Sequence, residues 1–151
     1  MVQTLEQVLD KNIMVVDLDV KDKEAAILEM SKMLLDNNYI NDLDSFIEDI
    51  YHRESLGSTG VGNYIAIPHG QSDSVLKNGI AIARLKEEIE WETLDDKGVK
   101  LICLFSVSND RPEDNMHLKL LALLAGKLGN DKVVTNLIEA KSVDDITLAL
   151  L

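Results

Sequence analysis

Cysteine, proline and aromatic residues are all scarce in this sequence. Its 151 residues include one cysteine, two prolines and only 4% aromatic residues. The single cysteine, Cys103, cannot form an internal disulfide, which is typical of a protein in a reducing compartment. Because aromatics are few, the core must be built from aliphatic side chains, and a chain of this length buries enough of them for one compact domain. We therefore predict one domain spanning residues 1–151.

Basic residues are too few for several functions. The chain has 15 Lys and Arg residues against 27 Asp and Glu residues, a net charge of −12. Proteins that bind nucleic acid or anionic membranes rely on Lys and Arg, so the composition argues against both, whereas basic or mixed protein surfaces remain plausible partners. The N-terminus lacks the basic-then-apolar pattern of a signal peptide, and no apolar stretch approaches the roughly 20 residues of a membrane helix. We predict a cytoplasmic protein without direct membrane insertion.

Segments with helical and strand-like patterns alternate along the chain. Apolar spacing predicts helices over about 5–9, 21–37 and 131–140, and strands over 13–16, 64–67, 79–85 and 99–107. Capping signals predict three further helices: one capped by Asp42, one capped by Asp110 with Pro112 in its first turn and ending at Gly129, and one that begins with a capping box of Ser142 and Asp145. This interleaving predicts an α/β (mixed α+β) sheet covered by helices.

One segment breaks the pattern. Residues 57–62 contain three glycines, which cannot form the interior of a stable helix or strand, so we predict a loop. The short strand that follows is expected to end in Pro68-His69-Gly70. Proline fixes its own φ, and the glycine leaves space beside the histidine, so the imidazole is presented at a strand end, where sites of α/β sheets commonly lie.

The residue types in this region suit phosphoryl transfer. Histidine has an unperturbed pKa of about 6.5, so a neutral imidazole is a competent nucleophile near pH 7. Such a transfer needs mainly positioning and charge stabilisation, which Arg53 supplies as a permanently charged planar donor. His117 is a candidate for contacting the same phosphoryl group from the opposite side. Ser58, Thr59 and the backbone amides of the glycine-rich loop, together with Gly70, are candidates for supporting it.

Each of these features alone is more often structural. A lone histidine or a helix-end arginine is usually a solvated residue, and a glycine-rich hexamer is usually only a loop; no Gly-Lys-Ser/Thr follows this one, so it is not a Walker motif. His52 is interpreted as a solvated histidine at a helix C-terminus. Cys103 is interpreted as a buried structural cysteine. The histidines and the cysteine have no spacing typical of zinc ligands, so we predict no metal site.

A resemblance to a known family, which extends over most of the chain, places these residues in one site. Residues 53–70 (RESLGSTGVGNYIAIPHG) resemble the active-site signature of the type-2 enzyme IIA proteins of the sugar phosphotransferase system, the fructose/mannitol/nitrogen-regulatory group. The similarity continues through GIAIARL at 79–85, IEW at 89–91, the apolar strand around 101–105 and HLKLLALLA at 117–125. Tyr64 departs from the pattern, since the family often has glycine at this position.

The resemblance implies a fold and a site. It implies a mixed central β-sheet flanked by helices on both faces, the mannitol-type enzyme IIA fold. It also implies a phosphohistidine at His69, with Arg53 and His117 beside it. The implied phosphoryl donor is phosphorylated HPr, and the implied acceptor is a cysteine or histidine of an enzyme IIB; no metal or other cofactor is needed.

Three functions remain open at this point. The first is a phosphocarrier that passes phosphate from HPr to enzyme IIB during uptake of a fructose/mannitol-class sugar. The second is a nitrogen-type regulatory protein whose phosphorylation state controls a protein target, because the GSTGVGN run suits both branches. The third is a degenerate binding domain, which the presence of all three candidate residues argues against. The sequence does not indicate which sugar is transported.

Overall fold

A computed structural model describes residues 5–109 and 116–151, without the side chains of residues 7 and 116–118. The described helices are α1 (Leu5–Val8), α2 (Lys23–Asp36), α3 (Leu43–Leu56), α4 (Met116–Leu128), α5 (Asp131–Ile138) and α6 (Val143–Leu150), with a short 3-10 helix at Lys11–Ile13. The described strands are β1 (Met14–Leu18), β2 (Gly60–Gly62), β3 (Ile65–Ala66), β4 (His69–Ser72), β5 (Gly79–Ile89) and β6 (Val99–Ser108).

These strands form one mixed sheet around β6. The strand order is β1-β5-β6-β3-β2, and β4 pairs with β6 beyond the end of β3. Strand β5 runs antiparallel to β6, whereas β3 and β4 both run parallel to it. Strands β3 and β4 therefore follow one another along the same side of the central strand.

Helices cover both faces of the sheet, as the fold prediction requires. Alternate residues of β6, such as Cys103 and Phe105, pack with the apolar residues of α1, α4, α5 and α6. The intervening residues Ile102 and Leu104 pack with those of α2 and α3. Because both faces are buried, β6 is an almost continuous apolar run, and each large side chain in it contributes about 1.5–3 kcal/mol by leaving water. The predicted α/β class with helices on both faces is confirmed.

Two of the predicted helix caps are present. The Asp42 carboxylate accepts a hydrogen bond from the Ser45 amide at 3.1 Å, which begins α3 where the sequence predicted it. The Ser142 hydroxyl accepts from the Asp145 amide at 3.2 Å and begins α6. The reciprocal bond differs from a standard capping box, because the Asp145 carboxylate accepts from the Lys141 amide rather than from that of Ser142.

Helix α4 ends at Leu128, directly before Gly129, as predicted. The predicted cap Asp110 and the predicted first-turn residue Pro112 lie outside the described residues.

The glycine-rich segment corrects one prediction. Residues 60–62 are not loop but the short strand β2, which pairs antiparallel with β3 through a shifted register. The strand tolerates its two glycines because it is only three residues long, and Gly62 takes a φ of 91° that side chains rarely adopt. Asn63 and Tyr64 then form a two-residue turn, both with positive φ.

The Pro68-His69-Gly70 segment corrects another prediction. These residues do not end a strand; His69 begins β4, directly opposite Phe105 of β6. The interruption between β3 and β4 covers Ile67 and Pro68. Proline has no N–H to donate to the sheet, but its carbonyl accepts a hydrogen bond from the Phe105 amide at 3.0 Å, so the chain stays beside β6 and pairing resumes.

Candidate active site

His69 lies at the first position of β4 and is half-buried. Its ring stacks on that of Phe105, with centroids 5.2 Å apart and planes inclined by 24°. This contact follows from the sheet register, since the two residues are paired across β4 and β6. The aromatic ring therefore covers one side of the imidazole and limits its rotation.

The hydrogen bonding of His69 determines where its proton is. Its Nδ1 lies 2.8 Å from the carbonyl oxygen of Ile67. A carbonyl oxygen only accepts, so Nδ1 carries the proton and donates. In the neutral ring this leaves the lone pair on Nε2. This carbonyl belongs to the interruption between β3 and β4, two residues before His69.

Arg53 lies in the last turn of α3 and faces the same cleft as His69. The cleft has a volume of about 390 Å³. The guanidinium Nη1 donates to the Gly57 carbonyl at 3.0 Å, just beyond the helix end. A guanidinium has five N–H donors, so this bond anchors the side chain and uses one of them.

The other residues of the cleft come from four elements or their ends. These elements are α3, β4, the end of β6 and α4; the further lining residues are Asp49, His52, Leu56, Gln71, Val107, Asn109 and Leu121. His52 is exposed, as expected for a helix-end histidine, and it also lines the cleft beside Arg53. For Asp49 and Leu56, a sequence signal was available. They lie one helical turn before and after Arg53, so helical spacing places them on the same face of α3.

The loop candidates Ser58 and Thr59 do not line this cleft. The Ser58 hydroxyl binds the Glu92 carbonyl, and the Thr59 hydroxyl donates to Glu54 Oε1 at 2.6 Å. A role for them at the phosphoryl group stays a prediction, and their observed contacts lie within the loop and its neighbours.

Gly70 supports the site by close packing. A Cβ added at this position would lie 2.3 Å from Cε1 of Phe46, a fully buried residue of α3. Glycine therefore lets α3 approach β4 closely, which brings the helix that carries Arg53 towards the strand that carries His69.

His117 belongs to the first turn of α4, but its side chain lies outside the described residues. Its predicted role beside His69 therefore stays a prediction. Leu121, one helical turn later, lines the cleft.

Cys103 is buried in the sheet, as predicted, at 1% exposure. Burial in this apolar surrounding raises the pKa of its thiol to about 12, so no thiolate forms near neutral pH. Among the residues whose side chains are described, no group of three or more His, Cys, Asp or Glu residues is arranged to hold a metal ion. Within the same residues, no helix is both long and apolar enough to cross a bilayer.

Comparison with known proteins identifies one family for this chain. The family model described as "Phosphoenolpyruvate-dependent sugar phosphotransferase system, EIIA 2" matches residues 7–151. The fructose-specific EIIA component of Haloferax volcanii is 36% identical over 120 residues, which cover 80% of this chain and 77% of the relative. The mannitol-specific phosphotransferase enzyme IIA component of Bacillus subtilis is 32% identical over 143 residues, covering 93% and 94% of the two chains.

Some relatives are much longer than this chain. The fructose-specific EIIABC component of Bacillus subtilis is 34% identical over 142 residues, but the chain spans only 22% of its length. The matched region is 94% of this chain.

Solved structures share the fold. The crystal structure of the nitrogen regulatory protein IIA-Ntr from Neisseria meningitidis has a TM-score of 0.86 at 28% identity, covering 97% of this chain and 98% of that one. Enzyme IIAMtl from Escherichia coli, solved in complex with phosphorylated enzyme IIBMtl, has a TM-score of 0.79 at 23% identity, covering 94% and 96%. The second likeness supports the mannitol-type fold.

Proposed function

Because the chain belongs to the EIIA 2 family of the phosphoenolpyruvate-dependent sugar phosphotransferase system, a family of phosphotransferases, we propose that it is a phosphocarrier that accepts a phosphoryl group on His69. The donor is phosphorylated HPr and the acceptor is an enzyme IIB. This transfer takes part in the uptake of a fructose/mannitol-class sugar. The protein acts in the cytoplasm. Residues 1–151 form one EIIA domain.

One observation carries the choice of reacting atom. The Nδ1–H of His69 is held by the Ile67 carbonyl, so in the neutral ring the nucleophilic lone pair is on Nε2. Attack of Nε2 on phosphorus forms the N–P bond, while the bond from phosphorus to the donor breaks and its electron pair leaves with the donor. The positive charge that develops on the imidazole is stabilised by the hydrogen bond from Nδ1 to the carbonyl. Transfer to enzyme IIB reverses these steps.

Arg53 stabilises the charge of the phosphoryl oxygens. It shares the cleft with His69, and the Gly57 carbonyl fixes one side of its guanidinium, so little reorganisation is needed when the phosphoryl group arrives. His117 contacts the same group from α4, a role that the position of Leu121 in the cleft one turn later supports. Ser58 and Thr59 hold the loop between α3 and β2, and Gly70 lets α3 pack closely on the strand that carries His69. No metal or other cofactor takes part.

The partners are supported by two features. Relatives that share most of this chain are fructose- and mannitol-specific EIIA components, and the IIAMtl fold has been solved in complex with a phosphorylated enzyme IIB. At the cleft itself, Leu56 is 71% exposed. An exposed apolar side chain at the edge of the cleft is available for contact with a protein partner.

Phosphorylation in vitro tests this proposal. The protein is incubated with phosphoenolpyruvate, enzyme I and HPr, and we expect an acid-labile, alkali-stable phosphate, with ³¹P and ¹⁵N NMR placing phosphorus on Nε2 of His69. His69→Ala is expected to remove the label, whereas His52→Ala, which lies in the same cleft, keeps it. An unlabelled wild-type protein, or a label that survives in His69→Ala, contradicts the proposal.

A nitrogen-type regulatory function is the second candidate, favoured by the TM-score of 0.86 to IIA-Ntr. In that case His69 is phosphorylated in the same way, but its state controls a protein target. The two functions differ in the next step. We expect the phosphorylated protein to transfer its label to a fructose- or mannitol-type enzyme IIB; a fully labelled protein that transfers to none of them favours regulation.

A further inference from the structure

Thr59 connects the helix of Arg53 to the backbone that holds His69. Thr59 is 4% exposed, and its hydroxyl donates to Glu54 Oε1 at 2.6 Å. Glu54 is the residue after Arg53 in α3. On its backbone side, the Thr59 carbonyl accepts a hydrogen bond from the Ile67 amide at 2.9 Å. The Ile67 carbonyl in turn accepts from Nδ1 of His69, so three hydrogen bonds lead from Glu54 to the imidazole.

The Glu54 carboxylate is an unusual group to find here. Its side chain is 6% exposed, and among the described residues Oε2 is buried with no hydrogen-bond partner. The ammonium of Lys23 is 3.7 Å from Oε1, too far for a hydrogen bond, and lies closer to Glu92, at 2.8 Å. Burying a carboxylate with so little compensation is unfavourable for stability, and an apolar residue of similar size is often at least as stable. Stability alone therefore does not explain this carboxylate.

A second set of contacts holds the loop between α3 and β2, to which Thr59 belongs. The Ser58 hydroxyl binds the Glu92 carbonyl, and Lys23 both pairs with Glu92 and lies 4.8 Å from the centre of the Trp91 ring. These contacts hold the loop on α2 and on the segment after β5. Two side-chain hydrogen bonds tie it to the end of α3: the Thr59 hydroxyl to Glu54, and the Arg53 guanidinium to the Gly57 carbonyl.

We propose that Glu54 and Thr59 are positioning residues for phosphoryl transfer. Their hydrogen bond fixes the Ile67 carbonyl relative to the end of α3, so that Nε2 of His69 and the guanidinium of Arg53 keep the geometry of the reaction. This inference rests on the proposed role of His69. Misplacement of reacting groups by about 1 Å lowers rates by up to a hundredfold, so loss of the bond is expected to lower the transfer rate about tenfold.

The test separates positioning from folding. In Thr59→Val, the carboxylate loses its remaining hydrogen bond and the protein is expected to be less stable. In the double variant Glu54→Leu with Thr59→Val, both polar groups are gone, so stability returns close to that of the wild type. We expect the double variant to transfer phosphate about tenfold more slowly at saturating phospho-HPr, with KM for the donor changed less than twofold.

Two conservative variants and one control complete the design. Thr59→Ser keeps the hydroxyl, and Glu54→Gln keeps an acceptor oxygen, so both are expected to transfer at close to the wild-type rate. Thr147→Val removes a half-buried hydroxyl that bonds to the Val143 carbonyl on α6, far along the chain from the site, and should not change the rate.

A spectroscopic measurement distinguishes failure of the positioning role from failure of the proposed function. ¹⁵N NMR of histidine-labelled protein, at a pH where the ring is neutral, reports the Nδ1–H form of His69 in the wild type, and we expect a mixture of tautomers in the double variant. If the wild type is never phosphorylated, the proposed function fails, and the tautomer still tests the positioning. If the wild type is phosphorylated but the stable double variant keeps its rate and its tautomer, the positioning role is overturned.

Discussion

In the neutral imidazole of His69, Nδ1 carries the proton and Nε2 carries the lone pair. The Ile67 carbonyl binds Nδ1, and the Phe105 ring stacks on the same side chain. A side chain held in this way would lose little freedom on phosphorylation, which lowers the barrier.

The guanidinium of Arg53, which lies in the same cleft, gives a first prediction at this scale. We expect Arg53→Ala to slow phosphorylation of His69 about a hundredfold, because a preorganised donor to the phosphoryl oxygens is lost. This rate is measured from labelling reactions with limiting phospho-HPr that are quenched at successive times. His52→Ala is the matched control, since it removes a neighbouring basic side chain of the same helix and cleft. Equal slowing in both variants contradicts a specific role for Arg53.

Tyr64 gives a second prediction, concerning stability. Its φ is 68° in the turn between β2 and β3, a conformation that costs a side-chain-bearing residue about 1–2 kcal/mol. Tyr64→Gly should therefore raise the free energy of unfolding by about 1 kcal/mol, even though the contact of Lys97 with the Tyr64 ring at 5.5 Å is lost. Urea unfolding measures the change.

The control for this stability prediction is Tyr64→Ala. It removes the ring but keeps a Cβ at the strained φ, so it should be no more stable than the wild type. An equal gain in both variants indicates that the ring, not the backbone, is the source of strain.

At the scale of elements, the site depends on how closely α3 packs on β4. Gly70 of β4 faces the ring of Phe46 in α3 with no space for a Cβ. The strand carries His69 and the helix carries Arg53, so their separation is set by this contact. The close approach also explains why a strand begins at His69: the segment is held on one side by β6 and on the other by α3.

This packing gives a third prediction. Gly70→Ala forces α3 away from β4 and should destabilise the protein by about 1–3 kcal/mol, the usual cost of overpacking a core. It should also slow phosphoryl transfer, because Arg53 moves with the helix. Combining it with Phe46→Leu frees space and should recover part of both losses. If the double variant is no better than Gly70→Ala in either measurement, the helix–strand contact is not what limits the site.

At the scale of the whole molecule, the sheet is covered on both faces, and Cys103 lies inside one of the two cores. Burial raises the pKa of this thiol from its ordinary value of 9.0 to about 12. Between these values the unfolded chain loses the thiol proton while the folded protein keeps it. The contribution of the thiol to stability is therefore complete below pH 9 and is lost as the pH rises towards 12.

This burial gives a fourth prediction. Between pH 9 and pH 12, the free energy of unfolding of the wild type should fall faster than that of Cys103→Ala. The difference in slope should be at most about 1.4 kcal/mol per pH unit. Below pH 8 the two curves should run parallel. Denaturant unfolding at a series of pH values provides the comparison, and parallel curves throughout indicate that the thiol is reached by water in the folded state.

Much of the fold could be predicted from the sequence because it depends on local signals. The cap at Asp42, the end of α4 before Gly129 and the apolar run of β6 are local choices of residue type and spacing. The short strands β2 and β4 were not predicted correctly. Their residues have weak strand preference, and they form strands because β3 and β6 offer backbone partners from other parts of the chain.

The sequence alone determined which chemistry is available, because a histidine after proline, an arginine sixteen residues before it and a glycine-rich segment between them are matters of residue type and order. Only the tertiary structure decided how these groups act. The proton of His69 is placed by a carbonyl, packing of α3 on β4 puts Arg53 in the same cleft as His69, and Thr59 binds Glu54 rather than lining the cleft. Hydrogen bonds and close packing depend on distances between atoms from different segments, and residue order does not specify these distances.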